Sequence, residues 1–169
     1  MLLLFSEGTR STNQQLIASL PSHRQKQNMQ PFITTIRVSY SDTDQMGFVH
    51  HSNYLKYYET ARWNLFRHLS IPYKEIEKTG MLLPVVNVQM QYIKPAFFDE
   101  ELTIETSMAA VKGATIILDY KLFNNDQELI NTATITLAFV NSHSKRPCKP
   151  STLIQELLQQ YLQEDLQMI

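Results

Sequence analysis

The feature that most restricts the fold of this chain is a helical segment with almost no polar side. Between residues 54 and 69, Tyr54, Leu55, Tyr57, Tyr58, Trp63, Leu65, Phe66 and Leu69 put aromatic or aliphatic groups on nearly every face. Leu55, Tyr58, Arg62 and Leu65 recur at helical spacing, and Tyr54 and Ala61 widen that stripe. Ser52 or Asn53 can cap the start, and Pro72 lies beyond the end. A helix of this kind is expected to be wrapped by other structure. The chain supplies the wrapping as strand-like segments at roughly 33–40, 82–92, 101–111, 115–124 and 128–141. Lys112-Gly113 and the run from Asn124 to Gln127 read as turns. Neither is long enough for a parallel crossover, so the strands they join are antiparallel neighbours. A strand, a buried helix and then a run of strands is α+β: one curved sheet around one helix.

Size and composition narrow the setting. A chain of 169 residues is read as one domain with an appendage. Apolar residues at 43% and charged residues at 18% exclude a disordered or fibrous chain. Fifteen basic against sixteen acidic side chains leave a net charge of −1, so no bulk attraction to nucleic acid is expected. Cys148 is the sole cysteine, which rules out an intramolecular disulfide framework. No apolar run approaches the ~20 residues of a membrane span. The opening Met1-Leu2-Leu3-Leu4-Phe5 lacks a basic flank and falls short of the ~7–15 apolar residues of a signal peptide, so a cytoplasmic protein is expected. Residues 1–30, rich in Ser, Thr, Asn and Gln, are assigned to an N-terminal appendage carrying at most a short helix at 12–20. Residues 31–145 form the main domain. Residues 146–169 form a C-terminal helical extension, in which Ser151 caps a helix running to about residue 163.

The densest polar cluster lies between the first strand and the helix. From Tyr40 to His51 the chain brings together Asp42, Asp44, His50, His51 and the Tyr40 phenol. The cluster leads into a helix start, where free N–H groups favour developing negative charge. A carboxylate beside such donors is what hydrolysis of an acyl group needs, one group to attack or activate water and another to hold the oxyanion. The competing structural reading makes Asp42 and Asp44 turn-forming residues that bond nearby amides, with both histidines exposed. A metal site at Asp42, Asp44, His50 and His51 is disfavoured, because adjacent histidines usually point apart and no further cluster supports them. Asp42-x-Asp44 also suggests a phosphatase nucleophile loop. That loop follows a continuously apolar strand, whereas 34–40 alternates and contains Arg37.

These residues also carry a family resemblance. Tyr40-x-x-Thr43-Asp44-x-x-Gly47-x-Val49-x-His51-x-Asn53-Tyr54-Leu55, followed by Glu59-x-Ala61-Arg62, resembles the signature of the 4-hydroxybenzoyl-CoA thioesterase family. Within it, the chain is most similar to the short acyl-CoA thioesterases often encoded beside Tol-Pal genes. A weaker match is Gln91-Tyr92-x-x-Pro95-Ala96, with Asp99 and Leu102 following. Together the two cover about 35–141. The resemblance implies a hotdog fold, a five-stranded antiparallel sheet around a long central helix. It implies homodimers with joined sheets, often paired into homotetramers, and sites at the dimer interface. It implies hydrolysis of acyl-CoA thioesters with no metal or organic cofactor. Asp44 is then the catalytic carboxylate, as nucleophile or as general base, and the His51 backbone N–H polarises the carbonyl. Tyr40 and the His51 side chain match positions implicated in relatives, and Gly47, Val49, Asn53 and Tyr54 are expected at the substrate. Glu59 and Arg62 are read as an i, i+3 pair, and Cys148 as a bystander. Lys145, Arg146 and Lys149 read as solvated surface slightly before a contact for CoA phosphates. An acyl-binding or protein-interaction module without turnover is the alternative, and neither the acyl chain nor the carrier (CoA or acyl carrier protein) is legible.

Overall fold

The computed structural model describes residues 30–164, with side chains to residue 162. The appendage and its expected helix at 12–20 lie outside the described residues. In chain order the elements are β1 (Phe32–Arg37), a 3₁₀ turn (Tyr40–Asp42), α1 (Asn53–His68), α2 (Tyr73–Lys78), β2 (Met81–Leu82), β3 (Val85–Tyr92), β4 (Glu101–Lys112), β5 (Thr115–Phe123), β6 (Leu129–Ala138), β7 (Val140–Asn141) and α3 (Thr152–Glu164). Five strands make one antiparallel sheet in the order β1-β4-β5-β6-β3, and β2 pairs with β7 in a small ladder of its own. Both expected turns are present. Gly113 takes a left-handed φ of +59° between β4 and β5, and the Asn124 side chain accepts from the Asp126 and Glu128 amides between β5 and β6.

The helix and sheet meet through matched periods. Tyr54, Tyr57, Tyr58, Ala61, Leu65 and Phe66 form the buried stripe of α1. Alternate residues of the central strands face the same core: Leu102, Ile104 and Met108 of β4, Ile116, Leu118 and Leu122 of β5, Ile135 and Leu137 of β6. A few polar groups lie inside this core, and among the described residues Thr34 Oγ1, Thr106 Oγ1 and Asn131 Nδ2 have no partner there. The Tyr58 hydroxyl donates to Asn131 Oδ1 at 2.5 Å. Arg62, only 4% exposed, reaches Glu59 at 3.2 Å, the i, i+3 pair expected from the sequence.

Three expectations need correction. The helix is not enclosed on all sides, because Leu55 and Trp63 are about 40% exposed on its outer face. Periodicity sees that the residues are apolar, not which neighbour covers them. The first strand stops at Arg37, and Tyr40 starts a 3₁₀ turn instead of continuing the strand face. The turn forms because Asp42 donates its N–H to the Ser39 carbonyl and accepts the Ser39 N–H at its own carboxylate, 3.2 Å away. Finally, the long segments 82–92 and 128–141 are each divided, at Leu83-Pro84 and at Phe139, into a sheet strand and a short arm of the β2–β7 ladder. The C-terminal helix spans Thr152–Glu164, as its stripe predicts, and buries Ile154 and Leu158 in the common core.

Candidate active site

The polar cluster folds as a small hairpin between the 3₁₀ turn and α1. Thr43 bridges Val49, the Asp44 N–H donates to the Phe48 carbonyl at 3.1 Å, and the Gly47 N–H donates back to the Asp44 carbonyl at 3.0 Å. Gly47 sits at φ +82°, a left-handed position that a side chain occupies only with strain. The far limb is tied to the segment after β3: the Val49 N–H donates to the Ala96 carbonyl at 2.8 Å, and Phe48 bridges Phe97. The two sequence motifs are thus opposite walls of one construction.

Asp44 stands at the hairpin tip, half-buried. Its Oδ1 accepts the Met46 N–H at 2.8 Å, the turn bond of the structural reading. That bond uses one oxygen only. Among the described residues Oδ2 has no partner, so a lone pair is available to water or to a carbonyl carbon. His51 lies two residues before the first residue of α1, and its N–H donates to no acceptor among the described residues. Its carbonyl accepts the Tyr92 hydroxyl at 3.1 Å, which fixes this peptide from β3. Ser52 holds the cap position without bonding a helix amide, because its hydroxyl is engaged by His50 Nδ1 at 2.9 Å. The two histidine rings do not point apart: their centroids are 4.1 Å from one another.

A cleft of about 480 Å³ opens here, with Asp44, Val49, His51 and Tyr54 among its walls. Met46, Phe48, Tyr92 and Ile93 make most of the rest apolar, and Lys94, paired with Glu128 at 2.6 Å, stands at its margin. Three expected site residues lie elsewhere. Tyr40 is 77% exposed and packs edge-on against Phe98. Gly47 shapes the turn, and the buried Asn53 gives its amide to the Asp42 carbonyl at 2.8 Å. Tyr92, Met46 and Phe48 were not singled out from the sequence as site residues. Tyr92 does belong to the second motif, which was the signal available. Burial raises the Tyr54 hydroxyl above the ordinary tyrosine range, so this wall is a neutral phenol. Among the described residues no three His, Cys, Asp or Glu side chains are grouped to hold a metal ion.

Comparison with known proteins gives the family and the fold. Residues 38–160 match the family described as the thioesterase-like superfamily, a span that takes in most of α3 as well as both motifs. YneP of Bacillus subtilis is 36% identical over 112 residues, covering 66% of this chain and 81% of that protein. The acyl-CoA thioesterase YbgC of Haemophilus influenzae is 32% identical over 117 residues, covering 69% and 85% respectively. Among solved structures, the DHNA-CoA thioesterase of Staphylococcus aureus superposes with a TM-score of 0.75 at 26% identity, covering 81% of this chain and 95% of that one. The fold is the hotdog fold of thioesterases, α+β with a five-stranded antiparallel sheet and a C-terminal helix. A hairpin carrying a carboxylate with one unengaged oxygen, set against an unspent amide at a helix start, is therefore found in a chain that belongs to the thioesterase-like superfamily.

Proposed function

We propose that this protein hydrolyses acyl-CoA thioesters to the free acid and CoA, in the manner of the short acyl-CoA thioesterases associated with Tol-Pal genes. The observation that carries the reading is the pairing of Asp44, one oxygen unengaged, with the unspent His51 N–H on the wall of one apolar cleft. The acyl group lies against Met46, Phe48, Tyr54 and Tyr92, away from water. The thioester oxygen takes the His51 N–H, where the helix start favours the charge that develops as the carbonyl becomes tetrahedral. Asp44 then adds to the carbonyl carbon and expels the thiolate, leaving a mixed anhydride for water to cleave, or it draws a proton from water that adds directly. The exposed His51 imidazole, on the cleft wall, serves to place the thiol arm or water, whereas Tyr40, packed on Phe98 away from that wall, reaches the reaction only through a bound substrate or a second copy. A cytoplasmic location, where CoA esters form, fits a chain with one cysteine and, among the described residues, no helix long and apolar enough to cross a membrane.

The functional unit of this reading is a dimer joined along β3, with a tetramer as its further pairing. β3 ends the sheet and bonds only β6, and Val85, Val86, Val88, Tyr92 and Ile93 are 38–56% exposed along it. An open edge with apolar side chains calls for a partner strand. Tyr92 and Ile93 also line the cleft, so a second copy would supply its missing wall. The deciding experiment is thiol release from a panel of acyl-CoA esters, with acyl-phosphopantetheine carriers in parallel and light scattering on the same preparation. Turnover of at least one ester by a dimer or larger species is expected. Tight binding of esters with no thiol release would favour the non-catalytic module, and an active monomer would overturn the interface.

A further inference from the structure

Two residues before Asp44 stands a second carboxylate that does not line the cleft. Asp42 nevertheless gathers more of the site than any other residue in the hairpin. Its backbone carbonyl accepts the His50 N–H at 2.9 Å and the Asn53 side-chain amide at 2.8 Å. Its carboxylate Oδ2 accepts the Tyr57 hydroxyl at 2.9 Å and the Ser39 N–H at 3.2 Å. Four donors from three segments meet on this one residue: Ser39 at the start of the 3₁₀ turn, His50 on the outgoing limb of the hairpin, and Asn53 and Tyr57 in the first two turns of α1.

The two helix donors are what make the arrangement more than a turn. Asn53 and Tyr57 are i, i+4 on α1 and only 7% and 5% exposed, so both side chains are held by the core. Burial first, and then the hydrogen bond to Asp42, raise the Tyr57 hydroxyl, which stays a neutral donor throughout the physiological range. Asp42 is thereby clamped to a rigid helix at both its carbonyl and its side chain. Asp44 follows it by two residues, and the His50 amide it accepts immediately precedes His51. One residue therefore sets where the attacking carboxylate and the carbonyl-binding amide stand with respect to each other.

We propose that Asp42 is the positioning residue of this site, holding the Asp44 carboxylate and the His51 N–H in register through Tyr57 and Asn53 without touching substrate. The proposal rests on the thioesterase reading. A displacement of about 1 Å between reacting groups costs on the order of 10²-fold in rate, so the effect belongs in kcat.

The test compares Asp42→Ala, Asp42→Asn and Tyr57→Phe in the full-length protein, using an acyl-CoA ester that the wild type turns over. Asp42→Ala is expected to lower kcat by roughly 30–300-fold with KM changed by less than about threefold. Asp42→Asn keeps a side-chain oxygen that accepts from Tyr57 and Ser39, and is expected to recover activity to within about fivefold, with the acid limb of the kcat/KM profile unmoved. Tyr57→Phe removes one of the four donors and should cost kcat about three- to tenfold. Wild-type kcat in Asp42→Ala would overturn the proposal. So would an Asp42→Asn protein as inactive as Asp42→Ala, because the charge itself would then be taking part. If Asp42→Ala does not fold, Tyr57→Phe decides, and a kcat equal to the wild type sinks the idea. Amide hydrogen exchange needs no turnover at all: Asp42→Ala should speed exchange at His50 and shift the His51 amide resonance. Unchanged amides there would refute the proposal even if the wild type hydrolysed nothing, which is the separate failure of the thioesterase reading.

Discussion

Replacing Asp44 by Asn and by Ala separates its chemistry from its part in the fold. In the proposed reaction Asp44 does two things, one with each oxygen. Oδ1 holds the Met46 amide at 2.8 Å and closes the hairpin tip, while Oδ2 has no partner among the described residues. Asn keeps a carbonyl oxygen for the first task and removes the anion needed for the second. Ala removes both. The Asn protein should therefore melt within about 0.5 kcal/mol of the wild type, whereas Ala loses one partly solvated hydrogen bond, about 1 kcal/mol. For a domain of this size that is roughly 3–5 °C in Tm. Activity should not follow stability. Loss of a catalytic carboxylate costs about 10²–10⁴-fold, or roughly 3–5 kcal/mol in the barrier, and both variants should lose it equally.

The assay is thiol release from an acyl-CoA ester under saturating substrate, with circular-dichroism melts of the same samples. An Asp44→Asn protein that melts like the wild type and keeps more than about a tenth of its turnover would refute the assignment, since a spectator carboxylate loses little on becoming an amide. A protein whose activity fell only in step with its melting temperature would refute it too, because Asp44 would then be acting through the loop alone.

Tyr58→Phe leaves both ends of the buried Asn131 amide unsatisfied, because among the described residues Asn131 Nδ2 already lacks a partner; a loss of about 1–3 kcal/mol, seen as a Tm drop of roughly 3–15 °C, is expected, and a shift below about 2 °C would contradict it. Burial raises the hydroxyls of Tyr58 and Tyr120, so each ionises more readily in the unfolded chain than in the native one. Stability should thus be level with respect to these groups below pH ~10 and fall above it by about 1.4 kcal/mol per pH unit for each, and urea melts showing no decline between pH 10 and 11 would refute the burial. Dialysis against EDTA should leave hydrolysis unchanged, since Asp42 is engaged by Tyr57 and His50 Nδ1 by Ser52; activity lost on dialysis and restored by zinc or manganese would make these side chains ligands.

Much of the architecture is legible because two periods are written plainly in the chain. Residues 54–69 repeat at helical spacing, 115–124 alternates, and Lys112-Gly113 and Asn124 to Gln127 mark where strands must reverse. The hairpin of the candidate site is legible for a different reason. Asp44, Gly47 and the amide of His51 occupy fixed places in one short loop, so spacing along the chain and spacing in the structure nearly coincide. The turn reading of Asp44 holds, and it leaves one oxygen over, the oxygen that the proposed reaction would use. What the sequence hid are relations set by tertiary packing. Ser52 looks like a helix cap, and it would be one if His50 did not take its hydroxyl. Tyr40 looks like the last inward residue of a strand, but Asp42 draws the chain into a turn first.

The same limit explains why the contacts of Asp42, Tyr57 and Tyr92 are less legible in the sequence than the loop position of Asp44. Each acts across the fold, at sequence separations of 15 residues for Tyr57 with Asp42 and 41 for Tyr92 with His51. No local pattern encodes such a pair, although each member sits in a place that periodicity fixes: Tyr57 on the buried stripe of α1, and Tyr92 at the end of β3. β3 shows the converse. Val85, Val86 and Val88 have the composition of a covered strand, yet all three are exposed at the sheet edge of the single chain. Apolar composition records that a surface is meant to be covered, and the chain that does the covering need not be the one that carries it. Here the open edge and the open side of the cleft share Tyr92 and Ile93, so whatever pairs with β3 also closes the chamber in which Asp44 and His51 would work.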